Sequence, residues 1–105
     1  MLISYDKKVC TKPYVYTKRI SYFTCIHGKV AFIIKDNDGK YHEIITNAEE
    51  PILLCVPKNV SSAHLNLSNN ISRILTLADL AWRPNDNEMK DMDFNDYDWS
   101  KWKHV

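Results

Sequence analysis

The amino-acid sequence predicts an all-β sandwich or barrel, on three observations. Segments rich in β-branched and aromatic residues recur at short, regular spacing, turn-forming clusters separate them, and no window sustains a helical period. With 105 residues, 45% hydrophobic and 11% aromatic, the chain fits a single domain spanning 1–105 with one core.

Met1 to Lys12 opens with a short apolar run, Leu2-Ile3-Ser4-Tyr5, followed by a basic link. An edge strand and an arm reaching a neighbouring subunit of a dimer both satisfy that pattern over 1–12. From Tyr14 the chain turns β-rich: Tyr14-Val15-Tyr16, then Ile20 to Ile26, which Gly28 interrupts. Val30 to Ile34 reads as a buried strand. Asp36-Asn37-Asp38-Gly39 is a hairpin signal, because Asn, Asp and Gly accept the positive φ of the favoured turns, and the return strand runs from Tyr41 to Thr46.

After the polar connection Asn47 to Pro51, Ile52 to Val56 forms a third compact apolar run, expected to be a buried strand. Val56 to His64 is then a corner. Pro57 cannot donate to a ladder and Asn59 tolerates positive φ, so a tight turn delivers Ser61, Ser62 and His64 to one end of a sheet. Leu65 and Leu67 alternate with Asn66, and Ser68-Asn69-Asn70 makes a turn. Ile71, Arg73, Leu75 and Leu77 alternate with Ser72, Ile74 and Thr76. The total is about seven strands.

The last segment, 83–105, is acidic and Asn-rich, yet the chain from Trp82 onward keeps Met89, Met92, Phe94, Tyr97, Trp99 and Trp102. A disordered tail would not hold so many large apolar groups, so part of it is expected to pack across the sandwich. The alternative is that these aromatics await a partner.

Composition excludes several function classes. Fourteen basic against 13 acidic side chains give a net charge of +1, which recommends neither nucleic acid nor an anionic membrane. Lys7, Lys8, Lys12, Lys18 and Arg19 near the start, and the acidic stretch Asp86 to Asp98, read as solvated faces. No apolar run approaches the ~20 residues that cross a bilayer. Cys10, Cys25 and Cys55 lack CxxC spacing, Cys25 and Cys55 sit in apolar runs, and no signal peptide is evident, so a reducing cytoplasm is expected.

Metal chemistry finds no support. His27, His42, His64 and His104 are far apart and form no HxH or HxxxH pair, so neither a metal nor another cofactor is expected. His27 and His42 flank turns and should be exposed. Ser61 and Ser62 lack a glycine elbow, and apolar surroundings would raise the Cys25 and Cys55 thiols. Gly28 and Gly39 are both absorbed by turns, leaving no phosphate-cradling loop. Acid–base chemistry remains. If the faces carrying Tyr14, Tyr16, Arg73 and Ser62 or His64 all turn inward, they make an aromatic cavity suited to a ring-shaped, partly polar ligand such as a sugar or nucleoside. Ordinary cross-strand aromatic pairing explains the tyrosines equally well.

From about Tyr14 to Trp99 the chain resembles the cupin-type dTDP-4-dehydrorhamnose 3,5-epimerase family and its smaller sugar-epimerase-like relatives. The resemblance rests on Gly28-Lys29-Val30, the corner Val56-Pro57-Lys58-Asn59-Val60, Ala78-Asp79-Leu80 leading to Pro84 and Glu88, and Tyr97-Asp98-Trp99. It implies a cupin jelly-roll β-sandwich, a homodimer with strands passed between subunits, and a pocket for a nucleotide-linked 4-keto sugar. The family's chemistry takes a proton beside the keto group with a histidine and returns one from a tyrosine. Here Tyr14 and Tyr16 stand where the smaller relatives carry an HxH pair. Ser62 stands at the corner's histidine, with His64 two residues on, and Ala81 and Trp82 replace the aromatic pair before the proline.

The expected site is therefore His64 as the catalytic candidate, with Tyr14, Tyr16, Ser62, Arg73 and Trp82 binding substrate. Two functions are carried forward. One is an epimerase-like or isomerase enzyme of deoxysugar biosynthesis with an altered active site. The other is a non-catalytic cupin that binds a nucleotide sugar and serves a deoxysugar or surface-polysaccharide pathway. A structural partner acting through the acidic aromatic tail is the third.

Overall fold

A computed structural model describes residues 12–80 and 87–102, together with the strand backbone of residues 2–5. Nine strands are described: β1 (Leu2–Tyr5), β2 (Tyr14–Tyr16), β3 (Ser21–His27), β4 (Lys29–Lys35), β5 (Tyr41–Asn47), β6 (Leu54–Val56), β7 (Ser61–Asn66), β8 (Ser72–Ala78) and β9 (Met89–Asp91). A 3-10 turn at Trp99–Trp102 follows them. They form two antiparallel sheets, a four-stranded one in the order β1-β8-β3-β6 and a five-stranded one in the order β5-β4-β7-β2-β9. The architecture is the expected all-β, cupin-like sandwich.

Strand parity builds the core. Phe23 and Cys25 of β3, Val56 of β6 and Ile74 of β8 face Val30, Phe32 and Ile34 of β4 between the sheets. The intervening residues of β4 and β7 face away, and there Ala31, Ile33, Ala63 and Leu65 lie beneath Phe94 and Tyr97, flanked by Met92, Trp99 and Trp102. The C-terminal segment thus covers the outer face of the five-stranded sheet. Burial on both sides is why Val30 to Ile34 is continuously apolar rather than alternating.

Two polar clamps hold that cover. The Tyr97 hydroxyl donates to Glu43 Oε2 at 2.6 Å, and Lys101 Nζ donates to Glu43 Oε1 at 2.9 Å. The bond from Tyr97, and then Lys101, keep the Glu43 carboxyl below its usual range. Tyr41 donates to Asp96 nearby.

Three expectations are corrected. The apolar run from Ile52 is not a buried strand: β6 starts only at Leu54 and lies at a sheet edge, leaving Leu53 63% exposed. Cys55 faces outward and is exposed, because its register partner is Tyr22 on the outer face of β3. The strand count exceeds seven because β1 and β9, short and weakly patterned, pair as edge strands. By contrast Cys25 is buried, and desolvation raises its thiol pKa.

Candidate functional site

The corner from Val56 to His64 folds as its residues dictate. Asn59 takes φ of +68°, its amide donates to the Tyr16 carbonyl at 2.8 Å, and Val60 N closes the turn on the Pro57 carbonyl at 3.3 Å. The turn leads into β7, which is buried along its whole length. In β7 the register pairs Ile34 with Ser62 and Phe32 with His64, so both Ser62 and His64 point between the sheets. Tyr14 pairs with Ser62, which places Tyr14 and Tyr16 on the same inward face.

These four residues converge. The Tyr14 hydroxyl and His64 Nε2 are 3.2 Å apart, and the Tyr14 and Tyr16 rings meet edge to face at 5.2 Å. His64 is 1% exposed. Phe23 and Phe32 box it in at ring-centre distances of 4.8 and 5.1 Å. Desolvation in this cage pushes the imidazole pKa down to about 3. It is neutral at any physiological pH and a weak base.

A narrow crevice lies beside this group, lined by Tyr14, Tyr16, Ser62 and Val60 on one side and Arg19, Ser21 and Phe23 on the other, and as it stands it is too tight to hold even a water molecule. Sites that enclose a drug-sized ligand run to ~300–1,000 Å³, so a ring could enter here only by parting the crevice walls. Arg19 was not among the expected site residues. Its guanidinium lies 4.9 Å over the Tyr16 ring and forms a buried ion pair with Glu88, the side chains being 11% and 6% exposed. Glu88 is placed by its own backbone: its carbonyl accepts from Thr17 N at 2.8 Å and from Thr17 Oγ1 at 3.1 Å. Arg19 and Glu88 are 69 positions apart, so only the pairing of β2 with β9 unites them.

Arg73 does not join the site. Ile74 pairs with Cys25 in the core, so parity turns Arg73 to the outer face of the four-stranded sheet, where it is exposed. Arg19 supplies the cation in its place. Trp82 lies outside the described residues. Among the described residues no three His, Cys, Asp or Glu side chains gather as a metal ion would require.

Residues 7–99 match the family described as FdtA: WxcM-like, C-terminal. The chain belongs to this family. None of the curated proteins matches the sequence. Among solved structures, the capsular polysaccharide assembling protein CapF from Staphylococcus aureus superposes with a TM-score of 0.82 at 10% identity, over 88% of this chain and 27% of CapF. The dTDP-4-dehydrorhamnose 3,5-epimerase from Elizabethkingia anophelis gives 0.76 at 15% identity, over 90% of this chain and 55% of the enzyme. A double mutant of ChmJ, a 3'-monoepimerase from Streptomyces bikiniensis in complex with dTDP, gives 0.76 at 11% identity, over 89% of this chain and 50% of ChmJ. The chain therefore spans between about a quarter and just over half of these proteins. At such identities the likeness is one of fold alone: this FdtA-type chain shares the cupin-like β-sandwich of these proteins.

Proposed function

We propose that this FdtA-type cupin binds a dTDP-type 4-keto deoxysugar in the cleft beside Tyr14, Tyr16 and Ser62, and that binding rather than proton transfer is its role. The observation that carries this reading is the inward convergence of those three residues with Arg19 along one crevice, whose walls a sugar ring would have to part. Tyrosine faces and a few polar groups suit a sugar ring. Family membership and the dTDP-linked activities of the structural neighbours support the ligand class, while CapF supports a setting in surface-polysaccharide assembly. A cytoplasmic homodimer belongs to the same reading; the exposed Leu77 and Ile26 on the four-stranded sheet offer apolar surface for a second copy.

The contact between Tyr14 and His64 favours a second reading, in which Tyr14 exchanges a proton with the sugar and His64 serves as its relay. The proton would then have to rest on an imidazole that burial makes a very weak base. A general base works best with a pKa near the operating pH, which is the reason for preferring binding.

The test has two arms. A dTDP-linked 4-keto sugar should raise the thermal midpoint by mass action; no shift at millimolar ligand would remove the pocket assignment. In deuterated water the carbons flanking the keto group should gain no deuterium. Exchange that His64→Ala or Tyr14→Phe abolishes would replace the binding role with the enzymatic one.

A further inference from the structure

We propose that Ser21 and Arg19, the latter held by Glu88, are the sugar-reading end of the cleft, taking neighbouring oxygens of an uncharged ring while the diphosphate stays outside. This rests on the cleft being the ligand site argued above.

The argument starts from polar atoms that folding leaves unpaired. Ser21 begins β3 and is 2% exposed. Its backbone is fixed from both sides by pairing with Val56 and with Ala78. Ser21 Oγ, Arg19 Nε and Glu88 Oε2 are all buried without a hydrogen-bond partner. Native proteins satisfy nearly all such groups, because an unmade buried hydrogen bond costs its full desolvation. Two of these atoms belong to residues that line one cleft, and the third belongs to the carboxylate that grips Arg19. A ligand that parts the crevice between Tyr16 and Ser21 is the partner that would satisfy the first two.

Charge decides which part of a nucleotide sugar enters. The Arg19 cation is already compensated by the buried Glu88 anion. A diphosphate would gain nothing from Arg19 without breaking that pair, and breaking a buried pair is strongly unfavourable. A keto or hydroxyl oxygen asks only for a hydrogen bond. The Arg19 Nε–H can donate to such an oxygen and the Ser21 hydroxyl can either donate or accept. Around them Tyr14, Tyr16 and Phe23 line the cleft with aromatic surface for the apolar side of the ring.

The experiment compares wild type with Ser21→Ala by calorimetric titration of two probes, a dTDP-linked 4-keto-6-deoxyhexose and dTDP itself. Removing a buried hydroxyl that has no partner leaves the fold intact, so the variant's thermal midpoint should equal or exceed the wild-type value. Its affinity for the sugar nucleotide should fall about tenfold, the equivalent of one lost hydrogen bond, with dTDP affinity unchanged. Undiminished sugar-nucleotide affinity in Ser21→Ala, with a wild type that binds, would overturn the assignment while leaving the proposed function standing, and would mean that no ligand oxygen reaches Ser21. An equal loss for dTDP would put the nucleotide, not the sugar, at Ser21. Binding of neither probe by wild type would remove the proposed function and this assignment together.

Discussion

Tyr14 and His64 sit on adjacent strands of the five-stranded sheet, and the tyrosine hydroxyl reaches the histidine Nε2 at 3.2 Å. Tyr14 borders the cleft while His64 lies behind it among Phe23 and Phe32. One polar group therefore faces the cleft and the other is sealed in the core. That arrangement suits a histidine that positions a tyrosine better than one that takes a proton from substrate.

The sealed histidine predicts a specific pH dependence. Its folded pKa of about 3 lies below the ordinary 6.5, so between those values the unfolded chain binds a proton that the native state refuses. Stability is then full above pH 6.5 and is lost as pH falls, by ~1.4 kcal/mol per pH unit inside the window. Urea unfolding at pH 7 and pH 5 should differ by about 2 kcal/mol in wild type, and His64→Leu should lose most of that difference. Identical pH dependence in the two proteins would mean that His64 takes up its proton in the folded state as readily as in the unfolded one.

Much of this was legible in the chain itself, and what was not has physical causes. Val30 to Ile34 and the Asn59 turn could be read because burial on two faces and a left-handed backbone each select residue types locally. Arg73 was misplaced because alternation defines two faces without saying which is inner; that is decided across the sheet, where Ile74 meets Cys25. Ile52 and Leu53 look like core, yet their apolar character does not compel burial at a sheet edge. The pairing of Arg19 with Glu88 has no local signal at all, since the intervening chain must first fold.

The two glycines should differ in their tolerance of a side chain. Gly28 and Gly39 have nearly the same positive φ, +81° and +82°, but a Cβ at Gly39 meets nothing within 4 Å while one at Gly28 falls 2.2 Å from Ser72 Oγ and 3.0 Å from Ser72 Cα. Ser72 cannot easily yield, because its hydroxyl is bound to Asn66 Oδ1 at 2.6 Å in a buried knot. Gly39→Ala should cost about 1–2 kcal/mol from backbone strain alone. Gly28→Ala should cost ~3 kcal/mol or more once overpacking is added. Chemical denaturation of both variants checks the order, and equal losses would mean that Ser72 has room to move.

The C-terminal cover predicts a separation between stability and binding. Phe94 is 3% exposed and packs with Tyr97 over Ala31, Ile33 and Ala63. The cleft lies between the sheets, where Ser62 and Tyr14 face the other way from Ala63. Phe94→Ala should therefore cost ~3–5 kcal/mol of stability by opening a cavity and uncovering the outer face. At a temperature where the variant remains folded, its affinity for a dTDP-linked 4-keto sugar should match wild type within about twofold, since no cover residue touches the cleft. Urea unfolding measures the first quantity and calorimetric titration the second. A tenfold fall in affinity with the fold intact would show that the cover is coupled to the ligand through β4 and β7, and the segment would then belong to the site rather than to the scaffold.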